Sequence, residues 1–145
     1  MTWHAFKKGQ NHPDLNKSKG HLIIKEYLNG KKLFFQEEIF LKDLGLTHCK
    51  EASYYRFDFT LYDKHQKIIA FIEYHGEQHT TYTVRFHRSY EEFNKYQKRD
   101  LVKEEFARIN NIPVIIVHYD CGGKKHNKKE IIKYTEEQLK KLNIL

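Results

Sequence analysis

Cysteine is scarce in this chain, long apolar runs are missing, and nothing repeats. Each shortage removes a class of protein. Two cysteines in 145 residues, Cys49 and Cys121, cannot form the disulfide framework of a small secreted scaffold. A zinc site built on Cys121 and His126 lacks the regular Cys-x₂-Cys spacing of structural zinc modules. No apolar stretch approaches the roughly 20 residues that span a bilayer. The first residues, Met1 to Lys7, carry no signal-peptide core. The expectation is an intracellular, cytoplasmic protein with no membrane segment. Without an internal repeat or a shift in composition there is no second domain. Residues 1–17, rich in Gly, Asn, His, Pro and Lys, read as an N-terminal arm, and 18–145 as one domain.

Positive charge is abundant. Lys and Arg number 26 against 19 Asp and Glu, a formal net charge of +7. Such an excess suits a polyanionic partner, because Lys and Arg that neutralise phosphates supply most non-specific nucleic-acid affinity. A merely basic surface is the competing explanation. The length is enough for one domain with a real core.

Periodicity and turn residues divide the domain. Ser18 is a good N-cap for a helix over 21–29, which Asn29-Gly30 stops. Residues 33–40 read as a strand, 42–50 as a turn region, and 54–62 as a second strand. Asp63-Lys64-His65-Gln66 forms a hairpin connection to a strongly apolar strand over 67–74. Ser89 caps a long helix to about Asn110, with Phe93, Tyr96, Phe106 and Ile109 on its apolar side. A Val/Ile strand over 113–118 and an amphipathic helix over 130–142 complete the chain. The order α-β-β-β-α-β-α implies an α/β domain with a mixed β-sheet flanked by helices.

The chemistry concentrates around Phe57-Asp58-Phe59 and Ile72-Glu73-Tyr74-His75-Gly76-Glu77-Gln78-His79. Strand side chains alternate, so Glu73 and His75 share one face while Ile72 and Tyr74 share the other. If Asp58 faces the same way, two carboxylates and an imidazole converge. Oxygen ligands suit Mg²⁺, and hydrolysis needs a nearby base. A metal-dependent hydrolase acting on nucleic acid is the leading expectation. Plainer explanations stand beside it. Asp58 could pair with Arg56 or Lys67, and Glu73 could simply surface at a strand end. Asp100 and Lys103 could form a solvated helix pair, and His21 could be a surface substitution at a weak capping position. His75 and His79 both titrate near neutrality, and either could move a proton. Arg85 and Arg88 share a loop with Tyr82, Phe86 and Tyr90, a mixture that can hold a nucleic-acid backbone or stack on bases. Lys124, Lys125, Lys128 and Lys129 form a basic patch suited to phosphate positioning.

Ser18-Lys19-Gly20-His21, Phe57-Asp58-Phe59, Ile72 to His79, Lys98-Arg99-Asp100 and Ile112 to Val117 occur in an order and at a spacing that resemble the restriction-endonuclease-like PD-(D/E)xK nucleases. Within them the chain looks most similar to the very-short-patch-repair endonucleases and the phage-type EDxHD homing nucleases. The resemblance implies a restriction-endonuclease-like fold and Mg²⁺- or Mn²⁺-dependent cleavage of double-stranded DNA. It extends the intracellular expectation to a phage-encoded protein. It implies Asp58 and Glu73 as metal ligands and His75 where the motif Lys would stand. His79 would lie near the scissile phosphate, and Asp100 would match the final Asp of the EDxHD pattern. His21 falls where relatives carry a Glu, and Glu37 or Glu38 could take over that Glu's place in space. Aromatic wedging into the DNA stack is not implied, since Glu77 and Gln78 follow the Gly. Nicking needs one site, whereas cutting both strands needs a homodimer or two successive nicks. Two further outcomes share the fold: a catalytically weakened DNA-binding or accessory protein, and a junction nuclease. A missing DNA-reading domain argues against recognition of a long site.

Overall fold

The computed structural model describes residues 17–76, 89–123 and 125–145. Among them the elements run α1 (Lys19–Gly30), β1 (Phe34–Glu37), β2 (Phe59–Tyr62), β3 (Ile68–His75), α2 (Tyr90–Ile109), β4 (Val114–His118) and α3 (Lys128–Lys141), with short 3₁₀ turns at Leu41–Leu44, Lys50–Ala52 and Cys121–Gly123. This is the expected α-β-β-β-α-β-α order. The sheet order is β1-β2-β3-β4. β1, β2 and β3 pair antiparallel, and β3 and β4 pair parallel. The sheet is therefore mixed, and α2 lies on the crossover that a parallel pair requires.

Local chemistry starts and stops these elements. Ser18, Ser89 and Asn127 each cap a helix by accepting from the backbone N–H three residues on, as short polar N-caps do. The β2–β3 hairpin is tied by Asp63, whose Oδ1 accepts from His65 N at 2.8 Å and Lys67 N at 3.0 Å. Gln66 closes it with a left-handed φ of 67°.

Two apolar clusters sandwich the sheet, giving three layers. On one face α1 and α3 bury Ile23, Ile24, Leu28, Ile131 and Leu139 against Phe59, Leu61, Ile72 and Val117. On the other, Phe106 and Ala107 of α2 meet Leu41, Ala52, Phe57 and Phe71. Phe57 and Phe71 stack at 4.3 Å. Ile109, expected on the buried side of α2, is 42% exposed.

β1 and β2 are shorter than their sequences suggest, and both end at the site. Glu38 adopts φ 50°, a left-handed conformation that breaks β1 after Glu37. Before β2 the chain bends at Asp58, leaving only an isolated bridge between Phe40 and Arg56. The Asp58 carboxylate accepts the Tyr74 N–H at 2.7 Å, so a side chain occupies the place of a ladder carbonyl. Among the described residues, no helix is long and apolar enough to cross a membrane.

Candidate functional site

Antiparallel pairing puts the end of β1, the start of β2 and the end of β3 together at one end of the sheet. Glu37, Asp58, Glu73 and His75 meet there because they occupy those strand ends. Alternation divides them. Glu37 has the parity of Phe35 and faces α1, whereas Glu73 and His75 have the parity of Phe71 and face α2. Asp58, at the bend, lies between the two faces.

On the α1 face His21 is 3% exposed, so it is not the surface substitution its sequence position allowed. Its ring lies 4.5 Å from that of Phe59. Its Nε2 donates to Glu37 Oε1 at 2.8 Å, and its Nδ1 is 3.7 Å from Asp58 Oδ1. The second distance is too long for a hydrogen bond but close enough for strong charge attraction. Lys25 Nζ reaches the other Glu37 oxygen at 3.1 Å. Burial favours the neutral imidazole, but the Asp58 and Glu37 carboxylates outweigh it and raise the His21 pKa. Burial likewise pushes against ionisation of Asp58 and Glu37. For Asp58 it is overcome by His21, the Tyr74 N–H and Lys103, and for Glu37 by His21 and Lys25, so both pKa values fall. Glu37 is thus held from two sides, by His21 and by Lys25. Glu38 pairs with Lys17 instead.

The motif around His21 has a steric cause as well. A Cβ on Gly20 would lie about 2.1 Å from the Tyr74 ring. Only glycine lets α1 approach Tyr74 this closely. Tyr74 OH is fixed by His126 Nδ1 at 2.5 Å.

On the α2 face, ligand atoms of Glu73, His75 and Asp100 all lie within 4.8 Å of one another. His75 packs edge-on against His118 at 5.6 Å. The ammonium of Lys103, 6% exposed, pairs directly with Glu73 and lies 5.0 Å above the Phe57 ring. Burial lowers its pKa to about 8, against the attraction of Asp58. Of the two alternatives open for Asp100 and Lys103, the solvated pair is not what forms: Lys103 points into the protein and takes Glu73. The signal was present in the spacing. Tyr96, Asp100, Lys103 and Ala107 form one helical stripe, and a charged residue on a core-facing stripe needs a buried partner.

The structure thus brings Asp58, Glu73 and Asp100 onto the wall of one cleft of about 380 Å³, and gathers His75 behind Glu73. Asp58 was expected to pair with Arg56 or Lys67 if it was structural, but its partners are His21 and the Tyr74 amide. The donor set, two carboxylates and an imidazole, fits a divalent cation, and Glu73 has a second oxygen besides the one held by Lys103. Of the expected phosphate contacts, Lys128 pairs with Glu26 at 3.8 Å and Lys125 lies 5.8 Å from the Tyr119 ring. His79, Arg85, Arg88 and Lys124 lie outside the described residues. Cys49 and Cys121 are free thiols.

No family model matches the chain, and no solved structure matches it at a significant level. It is 34% identical over 74 residues to uncharacterized protein 307L of Invertebrate iridescent virus 6. The aligned stretch covers 51% of this chain and 34% of that protein, so the likeness spans about a third of the viral relative.

Proposed function

We propose that this protein is a restriction-endonuclease-like, metal-dependent DNA endonuclease. One observation carries the reading: Asp58, Glu73, His75 and Asp100 converge at one end of a mixed sheet, beside a buried lysine, on a chain of net charge +7. Carboxylates crowded into a partly dry cleft are costly unless a cation compensates them. Glu73, His75 and Asp100, with Asp58 on the same wall, would hold Mg²⁺ or Mn²⁺. A cation there supplies Lewis-acid polarisation of a phosphate and a more acidic bound water.

The remaining roles belong to side chains. His21 and the Tyr74 amide hold Asp58 ionised and aimed into the cleft. Lys103 places a positive charge beside Glu73, where the pattern Glu73-x-His75 has no lysine of its own. With His75 giving its nitrogen to the cation, proton transfer would fall to His79, four residues later. Arg56 and Arg99 on the cleft wall, and the exposed Lys125 and Lys128 elsewhere on the surface, would position phosphates.

A plasmid-nicking assay tests this. Wild-type protein should convert supercoiled DNA with Mg²⁺ or Mn²⁺ and not with EDTA. Asp58→Asn should lose at least about 10²-fold in rate, on the order of a positioned catalytic group, with its melting temperature shifted by only a few degrees. Cleavage by Asp58→Asn at near wild-type rate would remove Asp58 from the site.

A second reading has its own observation. Glu73 already has a counter-ion in Lys103, so the cluster is partly neutralised without a metal. That arrangement suits a weakened relative that binds DNA without cutting it. Salt-dependent DNA binding with no nicking under any divalent cation would favour it.

A further inference from the structure

The cleft that holds the carboxylates has a second wall of different chemistry. Tyr54, Tyr55 and Tyr96 line it together with Arg56 and Arg99. The Arg99 guanidinium lies 5.5 Å from the Tyr55 ring and 5.0 Å from the Tyr96 ring. Arg56 lies 5.2 Å from the Phe40 ring. Tyr54 is 69% exposed, propped by Lys42 at 5.4 Å and by the edge of Phe40 at 5.7 Å. Among the described residues, neither guanidinium has a carboxylate partner, although Asp58 and Asp100 line the same cleft. Both arginines are oriented by aromatic rings and keep their hydrogen-bond donors for another anion.

We infer that this wall holds an unpaired nucleotide next to the carboxylate cluster, so that the preferred substrate is single-stranded or locally unpaired DNA. The inference rests on the proposed nuclease reading for the role of the neighbouring carboxylates. Within a duplex each base offers its faces to its stacked neighbours and only its edges to a protein. A tyrosine ring can therefore stack only on a base that has left the stack. Arg56 and Arg99 supply phosphate contacts to the same strand. A cleft of about 380 Å³ lies within the range of about 300–1,000 Å³ that holds small-molecule-sized groups. A blunt duplex would use the arginines and leave the tyrosines idle.

Fluorescence anisotropy in EDTA separates binding from cleavage. The probes are a labelled twelve-residue thymidine oligomer, a blunt duplex, and the same duplex with a splayed end. Wild-type protein should bind the oligomer and the splayed end more tightly than the blunt duplex. Tyr54→Ala should weaken the first two by about 5- to 150-fold, the loss expected for one base–aromatic stack, with the duplex changed less than twofold. Tyr54→Phe keeps the ring and should bind like wild type. Arg99→Gln should lower the salt slope for the oligomer by about 0.7. Equal or tighter binding of the blunt duplex would overturn the proposal, as would equal losses on all three probes. A uridine oligomer bound more than tenfold tighter would overturn the assignment to DNA. If the preference holds but no cation supports nicking, the nuclease reading fails and the unpaired-nucleotide site stands. If duplex is nicked and Tyr54→Ala has no effect, the reverse is true.

Discussion

Two buried ion pairs flank the same strand end and are built on opposite logic. On the α1 face, His21 is shared between two carboxylates, and Lys25 adds a second positive group to Glu37. Opposite charge is plentiful there, and it raises the imidazole pKa while lowering both carboxyl values. On the α2 face, Lys103 is more deeply isolated. Among the described residues its direct carboxylate partner is Glu73, its next neighbour is a phenyl ring, and its pKa falls to about 8. Desolvation loses to charge pairing on the first face and wins on the second. The α1 network is a holder whose members stabilise each other's ionised forms. Under the proposed metal-binding reading the α2 pair is poised, because a cation reaching Glu73 would compete with an ammonium that is already costly to keep charged.

The largest expected effect breaks the poised pair. Lys103→Met leaves Glu73 buried without its cation and should cost about 3–5 kcal/mol in urea denaturation. Adding Glu73→Gln should recover much of that loss. A double variant no more stable than Lys103→Met would mean that the pair is not coupled.

Next in size is an attack on the holder from behind. Gly20→Ala drives a methyl group into the Tyr74 ring and should cost about 1–3 kcal/mol, as overpacking does. Tyr74 carries the amide that holds Asp58, so cleavage should fall with stability. An unchanged melting temperature would show that the α1–Tyr74 contact is loose.

The pH dependence of stability should distinguish the faces by sign. Asp58 and Glu37 have lowered pKa values in the folded protein. Their contribution is present above the ordinary carboxylate range and disappears as pH falls through the lowered values. His21 has a raised value, so its contribution is complete below about 6.5 and disappears as pH rises through the raised value. Lys103 has a lowered value, so the unfolded chain binds more protons between about 8 and 10.5, and stability from this group rises with pH across that window. His21→Gln should remove the loss that sets in above about 6.5, and Lys103→Met the alkaline rise. Denaturation midpoints across pH 3–10 in both variants would read this directly. An unaltered alkaline limb in Lys103→Met would contradict the α2 half of the comparison.

The smallest effect concerns the surface. Lys128 is exposed and only loosely paired with Glu26. Lys128→Ala should leave stability within about 0.5 kcal/mol and lower the salt slope of duplex binding by about 1. A slope unchanged within error would take Lys128 out of the DNA contact.

Much of this protein follows from sequence alone, because the controlling physics is local. Capping oxygens at Ser18, Ser89 and Asn127 start the helices, Asp63 ties the hairpin, and the two-residue alternation of β3 separates Glu73 and His75 from Ile72 and Tyr74. The element order and the mixed sheet follow from those signals. What the residues could not show is how the faces pair across the sheet. Asp58 read as one more residue of an extended strand, yet its carboxylate bends the chain by taking the Tyr74 amide from β3. His21 read as surface because its partner, Glu37, lies on another strand. Lys103 read as a solvated neighbour of Asp100 because the alternative partner, Glu73, is 30 residues away. Burial of a charge is set by what packs over it, and only the tertiary structure decides which distant carboxylate is there to receive it.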